Sequence, residues 1–232
     1  MALNIQTLKT RSLSAVVFVL LMAGGLLFSA TSFVALFVII HFGCWYEFVK
    51  LLKIIDQKTY WKYVGLGIIY ITLPVLLLIA FRLEYLTLTI QANIDSLKYL
   101  VMPIFIIACM WVNDTMAYFV GSLIGKTPFS KISPKKTWEG TIGGALLCAV
   151  LMGWLGTLYG RNYLPASNHY FIAAGIAAVF GTLGDLVESK LKRMANVKDS
   201  GNIMPGHGGF LDRFDSLLIA TPMVWGYVEL FV

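Results

Sequence analysis

Long apolar runs alternate with short polar segments along the whole chain. Seven of these runs are about as long as the 17 to 25 residues that a helix needs to cross a bilayer. They span residues 13–29, 33–49, 63–81, 99–119, 140–158, 170–187 and 217–232. The pattern predicts an all-α, polytopic integral membrane protein with about seven transmembrane helices.

The composition supports this interpretation. Hydrophobic residues make up 58% of the chain and charged residues only 13%, whereas soluble domains are about one-quarter charged. A soluble globular protein is therefore excluded. We expect the chain to lie in a lipid bilayer and to bind no nucleic acid. Three cysteines lie inside the predicted helices without metal or disulfide spacing, which predicts small packing residues: Cys44, Cys109 and Cys148.

The first apolar run follows two basic residues, Lys9 and Arg11, as in a secretory signal peptide. A cut after Ala30 would place Phe28 where signal peptidase needs a small side chain. The sequence therefore favours an uncleaved signal anchor.

The basic residues indicate the orientation of the helices. With the N-terminus in the cytoplasm, fifteen Lys and Arg residues fall on the cytoplasmic side: Lys9, Arg11, Lys50, Lys53, Lys58, Lys62, Lys126, Lys131, Lys135, Lys136, Lys190, Lys192, Arg193, Lys198 and Arg213. Only Arg82, Lys98 and Arg161 fall outside. Cytoplasmic loops carry such an excess, so we predict a cytoplasmic N-terminus and, after an odd number of spans, an external C-terminus.

Polar residues at membrane depth divide the chain into two regions. Residues 1–98 resemble ordinary transmembrane helices, with one acid, Glu47, near the end of the second run. Residues 99–232 carry Asn113, Asp114 and Asp185 within apolar runs and Glu188 directly after one. Acids there are costly and usually face a cavity, a partner or a pathway, so we expect the chemistry in residues 99–232.

Two pairs of acids have helical spacing. Asp185 and Glu188 are three residues apart, as are Asp212 and Asp215, so each pair shares one helix face. Converging carboxylates without nearby Cys or several His favour Mg²⁺, which binds carboxylates together with substrate phosphates. The alternative from spacing alone is a set of interfacial salt bridges to the neighbouring basic residues, Lys192, Arg193 and Arg213.

A basic loop and a glycine-rich segment complete the candidate site. Residues 125–140, "GKTPFSKISPKKTWEG", contain four lysines, but Gly121 and Gly125 do not have the spacing of a P-loop. Contact with anionic lipid headgroups is the simpler alternative for this loop. His207 lies among glycines that permit close backbone approach to a ligand. Together, acids, lysines and glycines on one membrane face predict a site that handles the phosphates of a partly lipidic substrate.

The segment 189–215, "SKLKRMANVKDSGNIMPGHGGFLDRFD", resembles the signature of the phosphatidate cytidylyltransferases. The matching positions are Ser189, Leu191, Lys192, Arg193, Lys198, Asp199, Gly201, His207, Gly208, Gly209, Asp212, Arg213, Phe214 and Asp215. Met204 stands where the family usually has Leu, Ile or Phe. The resemblance extends upstream to "WVNDTMAYFVGSLIGK" and "SPKKTWEG".

This resemblance implies a membrane enzyme, usually a homodimer, that joins CTP and phosphatidic acid to give CDP-diacylglycerol and pyrophosphate. It implies a divalent metal, Mg²⁺ by the oxygen donors, with Asp185 and Asp212 as ligands supported by Asp215 and Glu188. Whether a second, monovalent cation joins it stays open at this point. The implied catalytic residues are Lys192, Arg193, Lys198, Asp199, His207 and Arg213. The implied nucleotide-binding residues are Asn113, Asp114, Lys126, Ser133, Lys135, Lys136 and Thr137. A bacterial inner membrane, with the site facing the cytoplasm, is the expected location.

Other functions are compatible with parts of the pattern. A CTP-dependent polyprenol or phytol kinase would have similar nucleotide needs but would release CDP, and the Lys-Asp and His-Gly-Gly run argues against it. A cation transporter would distribute acids through the bilayer depth, whereas most acids here lie beside lysines near one face. An inactive structural relative would lack signature residues. The Asp-Gly and Ala-Arg pattern of the CDP-alcohol phosphotransferases is absent from the sequence.

Overall fold

The computed structural model describes residues 5–92, 101–159, 164, 166–204 and 208–232, and within the first range the side chains of 12–83. The helices are α1 Ile5–Leu27, α2 Ala30–Ile55, α3 Trp61–Val64, a π-helical segment Ile68–Thr72, α4 Leu73–Ala92, α5 Val101–Ile124, α6 Trp138–Tyr159, α7 Asn168–Met194 and α8 Leu211–Phe231. The described residues contain no strand, only two isolated β-bridges. The all-α prediction is therefore confirmed.

Five helical stretches are long and apolar enough to cross a membrane: Ala30–Ile55, Trp61–Leu83, Val101–Ile124, Trp138–Tyr159 and Asn168–Met194. They coincide with the second to sixth predicted spans, so the polytopic membrane class is confirmed. The described apolar part of α1, Ser12–Leu27, is shorter, and α8 carries three charged residues near its start. The total of seven spans and their orientation remain predictions.

The chain forms two compact units, each assembled from segments that are distant in sequence. Unit 1 comprises Met1–Val75 and Lys190–Phe214, and unit 2 comprises Leu76–Ser189 and Asp215–Val232. Helices α7 and α8 each supply residues to both units. The division at residue 98, which concerned where the chemistry lies, remains a prediction.

Within unit 1, α2 buries one face that is apolar except for a single carboxylate. Phe33, Phe37, Cys44 and Phe48 are nearly inaccessible, and Glu47 lies among them with 4% of its surface exposed. A buried carboxylate must accept hydrogen bonds to remain charged. Glu47 accepts them from Ser200 Oγ at 2.7 Å and from the backbone N–H groups of Phe210 at 3.0 Å and Leu211 at 2.9 Å.

These contacts explain how Ser200 and residues 209–211 are held beside α2. The Phe210 and Leu211 N–H groups lie at the start of α8, where backbone donors have no partner within the helix and favour an anion. A Cβ atom at Gly201 or Gly209 would overlap the Glu47 carboxylate. Glu47 therefore joins α2 to both ends of the loop before α8, and the two glycines make room for it.

Within unit 2, α5 and α6 pack through small residues. A Cβ atom at Gly144 would lie 2.6 Å from the backbone N and Cα of Ala117, and one at Gly140 would lie 2.9 Å from Gly121 Cα. Small residues let transmembrane helices approach closely, which gives packing energy where the hydrophobic effect is weak. Gly121 and Gly125 do not have the spacing of a P-loop, and Gly121 instead lies at the contact between α5 and α6. All three cysteines are buried and form no disulfide, as predicted.

We expect Glu47→Gln to destabilise the protein by about 2–4 kcal/mol. The amide replaces one acceptor oxygen by a donor that faces backbone N–H groups, and buried hydrogen bonds to a charged group are worth roughly 1.5–3 kcal/mol each. Thermal unfolding in detergent measures the loss. Glu229→Gln, at an exposed position of α8, is the matched control and should unfold like the wild type. Equal midpoints for both variants would contradict this account of Glu47.

We expect Gly144→Ala to cost about 1–3 kcal/mol, because the added methyl group meets the backbone of α5 and the helices must separate. Gly226→Ala is the control, since nothing lies within 4 Å of a Cβ atom there. That control should be neutral or stabilising by up to about 1 kcal/mol through helix propensity. Similar unfolding midpoints for the two variants would show that the α5–α6 contact is loose.

Candidate functional site

Three carboxylates converge in unit 2. Asp185 and Glu188 lie on α7 and Asp215 on α8, and one oxygen from each lies within 4.8 Å of the others. Glu188 is completely buried, Asp215 is 8% exposed and Asp185 is partly exposed. Three hard oxygen donors at this separation suit a divalent cation such as Mg²⁺. This acid cluster contains three of the four residues that the sequence singled out for metal binding.

The acid cluster forms because a glycine lets α8 approach α7. A Cβ atom at Gly184 would lie 2.9 Å from Ser216 Cα and closer still to the carbonyl oxygen of Asp215. Gly184 precedes Asp185 directly, so the point of closest approach lies beside the acids. Any larger side chain at position 184 would push the Asp215 backbone away from the other two carboxylates.

The basic loop supplies a cation to the acid cluster. Lys136 Nζ forms an ion pair with Asp185 Oδ2. The contact brings a lysine of the loop to a carboxylate about fifty positions later in the sequence. The loop and the acids, which the sequence combines in one predicted phosphate-handling site, therefore meet within unit 2.

Glu139 fixes the shape of this loop, a role that the sequence analysis missed. Its carboxylate accepts hydrogen bonds from the backbone N–H of Lys126 at 3.1 Å and from the Thr127 hydroxyl at 2.8 Å. Thr137 Oγ1 accepts the Gly140 N–H at 3.1 Å and caps α6. An acid in the first turn of a helix is the signal that could have identified Glu139.

The loop presents its other lysines to the surroundings. Lys126, Lys131 and Lys135 are exposed, and Ser133 is half-buried. The Phe129 N–H donates to the Lys136 carbonyl at 2.8 Å, which keeps the ends of the loop together. A nucleotide-binding role for these residues remains a prediction.

Two polar residues of α5 have different surroundings. Asn113 is 3% exposed, and its Nδ2 donates to Thr182 Oγ1 on α7 at 3.3 Å. Its Oδ1 is buried without a hydrogen-bond partner among the described residues. Asp114 is exposed. The predicted nucleotide contacts of both residues remain predictions.

Asp212 lies in unit 1, where four donors surround its carboxylate. Oδ1 pairs with Lys192 Nζ at 2.7 Å. Oδ2 accepts from the Ser200 N–H at 2.8 Å, the Ser200 hydroxyl at 2.9 Å and the Gly209 N–H at 2.8 Å. These contacts resemble the salt-bridge alternative for the acids, and metal binding by Asp212 remains a prediction.

Gly208 and Ser200 shape the surroundings of Asp212. Gly208 has a φ of +87°, a conformation that is strained for other residues, and a Cβ atom there would lie 2.5 Å from Asp212 Oδ2. The Ser200 hydroxyl lies within hydrogen-bond distance of both Asp212 and Glu47. Its single proton can serve one carboxylate at a time. Sequence reasoning missed Ser200 because nothing in its local pattern distinguishes it.

The remaining signature cations are available to a ligand. Arg193, Lys198 and Arg213 are exposed, as is Asp199. Arg193 donates to the carbonyl oxygen of Val197 at 3.2 Å. His207 lies outside the described residues, so its catalytic role remains a prediction.

Comparisons with known proteins find relatives that are named phosphatidate cytidylyltransferase. The sequence is 47% identical to the phosphatidate cytidylyltransferase of Bacillus subtilis over 129 residues, which cover 53% of this chain and 46% of that protein. It is 43% identical to the phosphatidate cytidylyltransferase of Synechocystis over 137 residues, which cover 56% of this chain and 44% of that protein. The matched part thus spans less than half the length of these two relatives.

A third relative matches almost throughout. The phosphatidate cytidylyltransferase of Rickettsia felis is 34% identical over 227 residues, which cover 95% of this chain and 92% of that protein. The model of the cytidylyltransferase family matches residues 57–231, a stretch that includes the acid cluster, the basic loop and the signature. The chain therefore belongs to the cytidylyltransferase family.

Proposed function

We propose that this chain is a CTP:phosphatidate cytidylyltransferase, which converts CTP and phosphatidic acid into CDP-diacylglycerol and pyrophosphate in phospholipid biosynthesis. The observation that carries the proposal is its 34% identity, over 95% of the chain, to a protein of that name. The acid cluster and the adjacent lysine supply chemistry that fits a reaction between two phosphate compounds.

The donor set of the acid cluster fits Mg²⁺. Asp185, Glu188 and Asp215 offer three carboxylates within 4.8 Å, and the family resemblance adds Asp212 as a further ligand. When bound, Mg²⁺ would supply positive charge that offsets the repulsion between the substrate phosphates and favours departure of pyrophosphate. A second, monovalent cation is part of the same proposal.

The cations of the chain would bind and orient the two substrates. Lys192, Arg193, Lys198 and Arg213 would hold phosphates, and Arg is suited to bidentate contact. The basic loop, with Lys126, Ser133, Lys135, Lys136 and Thr137, would form the nucleotide side together with Asn113 and Asp114. Lys136 could exchange its contact with Asp185 for a phosphate oxygen. Asp199 and His207 complete the proposed catalytic set.

The reaction needs no strong protein base. A phosphate oxygen of phosphatidic acid forms a bond to the α-phosphorus of CTP, and the bond from that phosphorus to the bridging oxygen of the β-phosphate breaks. The nucleophile is already anionic, so the barrier comes from charge repulsion and positioning. Pyrophosphate leaves with the bridging oxygen, and the cytidylyl group passes from CTP to the lipid.

The surroundings of the reaction follow from the same proposal. Phosphatidic acid would enter from the bilayer that the five apolar helices are long enough to cross. CTP would come from the cytoplasm, the side on which the basic residues predict the site. The protein would act as a homodimer in a bacterial inner membrane.

The test is an assay of the purified chain with CTP labelled at the α-phosphorus, phosphatidic acid and Mg²⁺. The proposal predicts lipid-soluble label and one pyrophosphate for each lipid formed. Water-soluble label in CDP, with phosphorylation of an added polyprenol or phytol, would replace the proposal by a kinase. Ion flux into proteoliposomes without nucleotide, and no lipid product, would replace it by a transporter.

We expect Gly184→Ala to lower turnover about 100-fold. The added methyl group displaces the Asp215 backbone, and misplacing reacting or metal-binding groups by roughly 1 Å can cost about that factor. The assay above, at saturating CTP, measures the effect. Circular dichroism in the same detergent verifies the fold.

Gly175→Ala is the matched control for this substitution. It lies on the same helix, and a Cβ atom there would have its nearest neighbour, Ala149 Cβ, at 3.9 Å. Its turnover should equal that of the wild type. Wild-type turnover in Gly184→Ala would mean that the acid cluster does not take part in the reaction.

A further inference from the structure

One face of α2 lines an open groove in unit 1. The groove has a volume of about 840 Å³, and its lining is formed by Phe42, Trp45, Tyr46, Val49, Lys50, Lys53, Ile54, Gln57 and Tyr60. Seven of these residues follow helical spacing along α2. Phe42, Tyr46 and Ile54 are exposed, although the opposite face of the helix is buried. The volume is within the range of small-molecule sites, about 300–1,000 Å³.

The groove changes in polarity along its length. Its first part is aromatic, with Phe42, Trp45 and Tyr46, and its last part carries the two lysines. From Phe42 to Ile54 the helix rises by about 18 Å. An apolar stretch that ends in positive charge, on a helix able to cross the bilayer, matches a molecule with a long apolar body and an anionic head.

The aromatic wall is fixed in position. The Trp45 indole donates to Thr72 Oγ1 at 2.9 Å. A Cβ atom at Gly67 would lie 2.6 Å from the Trp45 ring, so glycine allows the ring to pack there. Thr72 ends the π-helical segment, an irregularity that often accompanies functional sites in helices.

The lysines give the groove an uncompensated positive charge. Lys50 and Lys53 are exposed, and Lys53 Nζ lies 5.2 Å from the centre of the Tyr60 ring. None of the nine lining residues is acidic. The nearby Asp56 carboxylate is engaged in its own turn, where it accepts from the Lys58 N–H at 2.9 Å and the Thr59 hydroxyl at 2.5 Å.

We propose that this groove binds one anionic phospholipid of the bilayer. Its phosphate contacts Lys50 and Lys53, and its acyl chains lie along Phe42, Trp45 and Tyr46. Lysines at the cytoplasmic end of a transmembrane helix attract anionic headgroups, and aromatic side chains suit the interface between headgroups and hydrocarbon. A soluble phosphate compound would leave the aromatic part of the groove unfilled. This site shares no residue with the acid cluster and does not rest on the proposed reaction.

The test measures binding of dioleoylphosphatidylglycerol to the detergent-solubilised full chain by native mass spectrometry, without CTP. Replacing both lysines, Lys50→Gln with Lys53→Gln, should weaken binding about 25-fold, or roughly fivefold for each lysine. The matched control is Lys58→Gln with Lys62→Gln. It removes the same charge from the same segment but no lining residue, and it should change binding less than about twofold.

Two further measurements separate a groove from general attraction of anions. Val49→Trp fills the groove and keeps both lysines, so it should weaken lipid binding as strongly as the lysine pair. Glycerol 3-phosphate in large molar excess should not displace the lipid. The proposal is overturned if the two double lysine variants weaken lipid binding equally or if Val49→Trp binds lipid like the wild type. Displacement of the lipid by glycerol 3-phosphate would also overturn it.

Discussion

A buried carboxylate on α2 organises the segment that carries the family signature. Glu47 accepts hydrogen bonds from Ser200 and from the first N–H groups of α8, so the position of this helix start depends on one anion in an apolar setting. Asp212 lies on the other side of Ser200 from Glu47. Its carboxylate accepts hydrogen bonds from Lys192 and from two backbone N–H groups. Two buried anions can share a neighbour because each is surrounded by donors. Gly201, Gly208 and Gly209 leave the space that this arrangement needs.

Unit 2 reaches its geometry by a different physical means. Its helices approach through Gly140, Gly144 and Gly184, where a side chain would strike a neighbouring backbone. In a membrane the hydrophobic effect does not favour helix association, so close packing must supply the energy. The same closeness brings Asp215 to Asp185 and Glu188. Helix packing and the candidate metal site are therefore linked at Gly184, and Lys136 adds the charge that partly balances the three acids.

Much of this arrangement could be predicted from the sequence. Hydropathy predicted the helices, because each span must be apolar for its whole length. The last span was ambiguous because α8 begins with three charged residues, so its apolar run is shorter than the helix. Helical spacing and the family resemblance identified the acids and the lysines. The sequence could not assign Glu47, whose partners lie more than 150 positions away. Salt bridges to Lys192 were one alternative from the sequence, but spacing alone could not select Asp212 as its partner. Nor could it show that Gly184 rather than an acid determines how closely the carboxylates meet, because both features depend on tertiary packing.

Mn²⁺ binding to the purified chain, followed by electron paramagnetic resonance, tests most directly whether the acid cluster is a metal site. Mn²⁺ accepts the same oxygen ligands as Mg²⁺. The account predicts that the wild type binds Mn²⁺, that Mg²⁺ displaces it, and that Asp185→Asn with Asp215→Asn weakens binding more than about tenfold. The exposed Glu229→Gln should bind like the wild type. Wild-type affinity in a folded double variant would contradict the account and place the metal elsewhere.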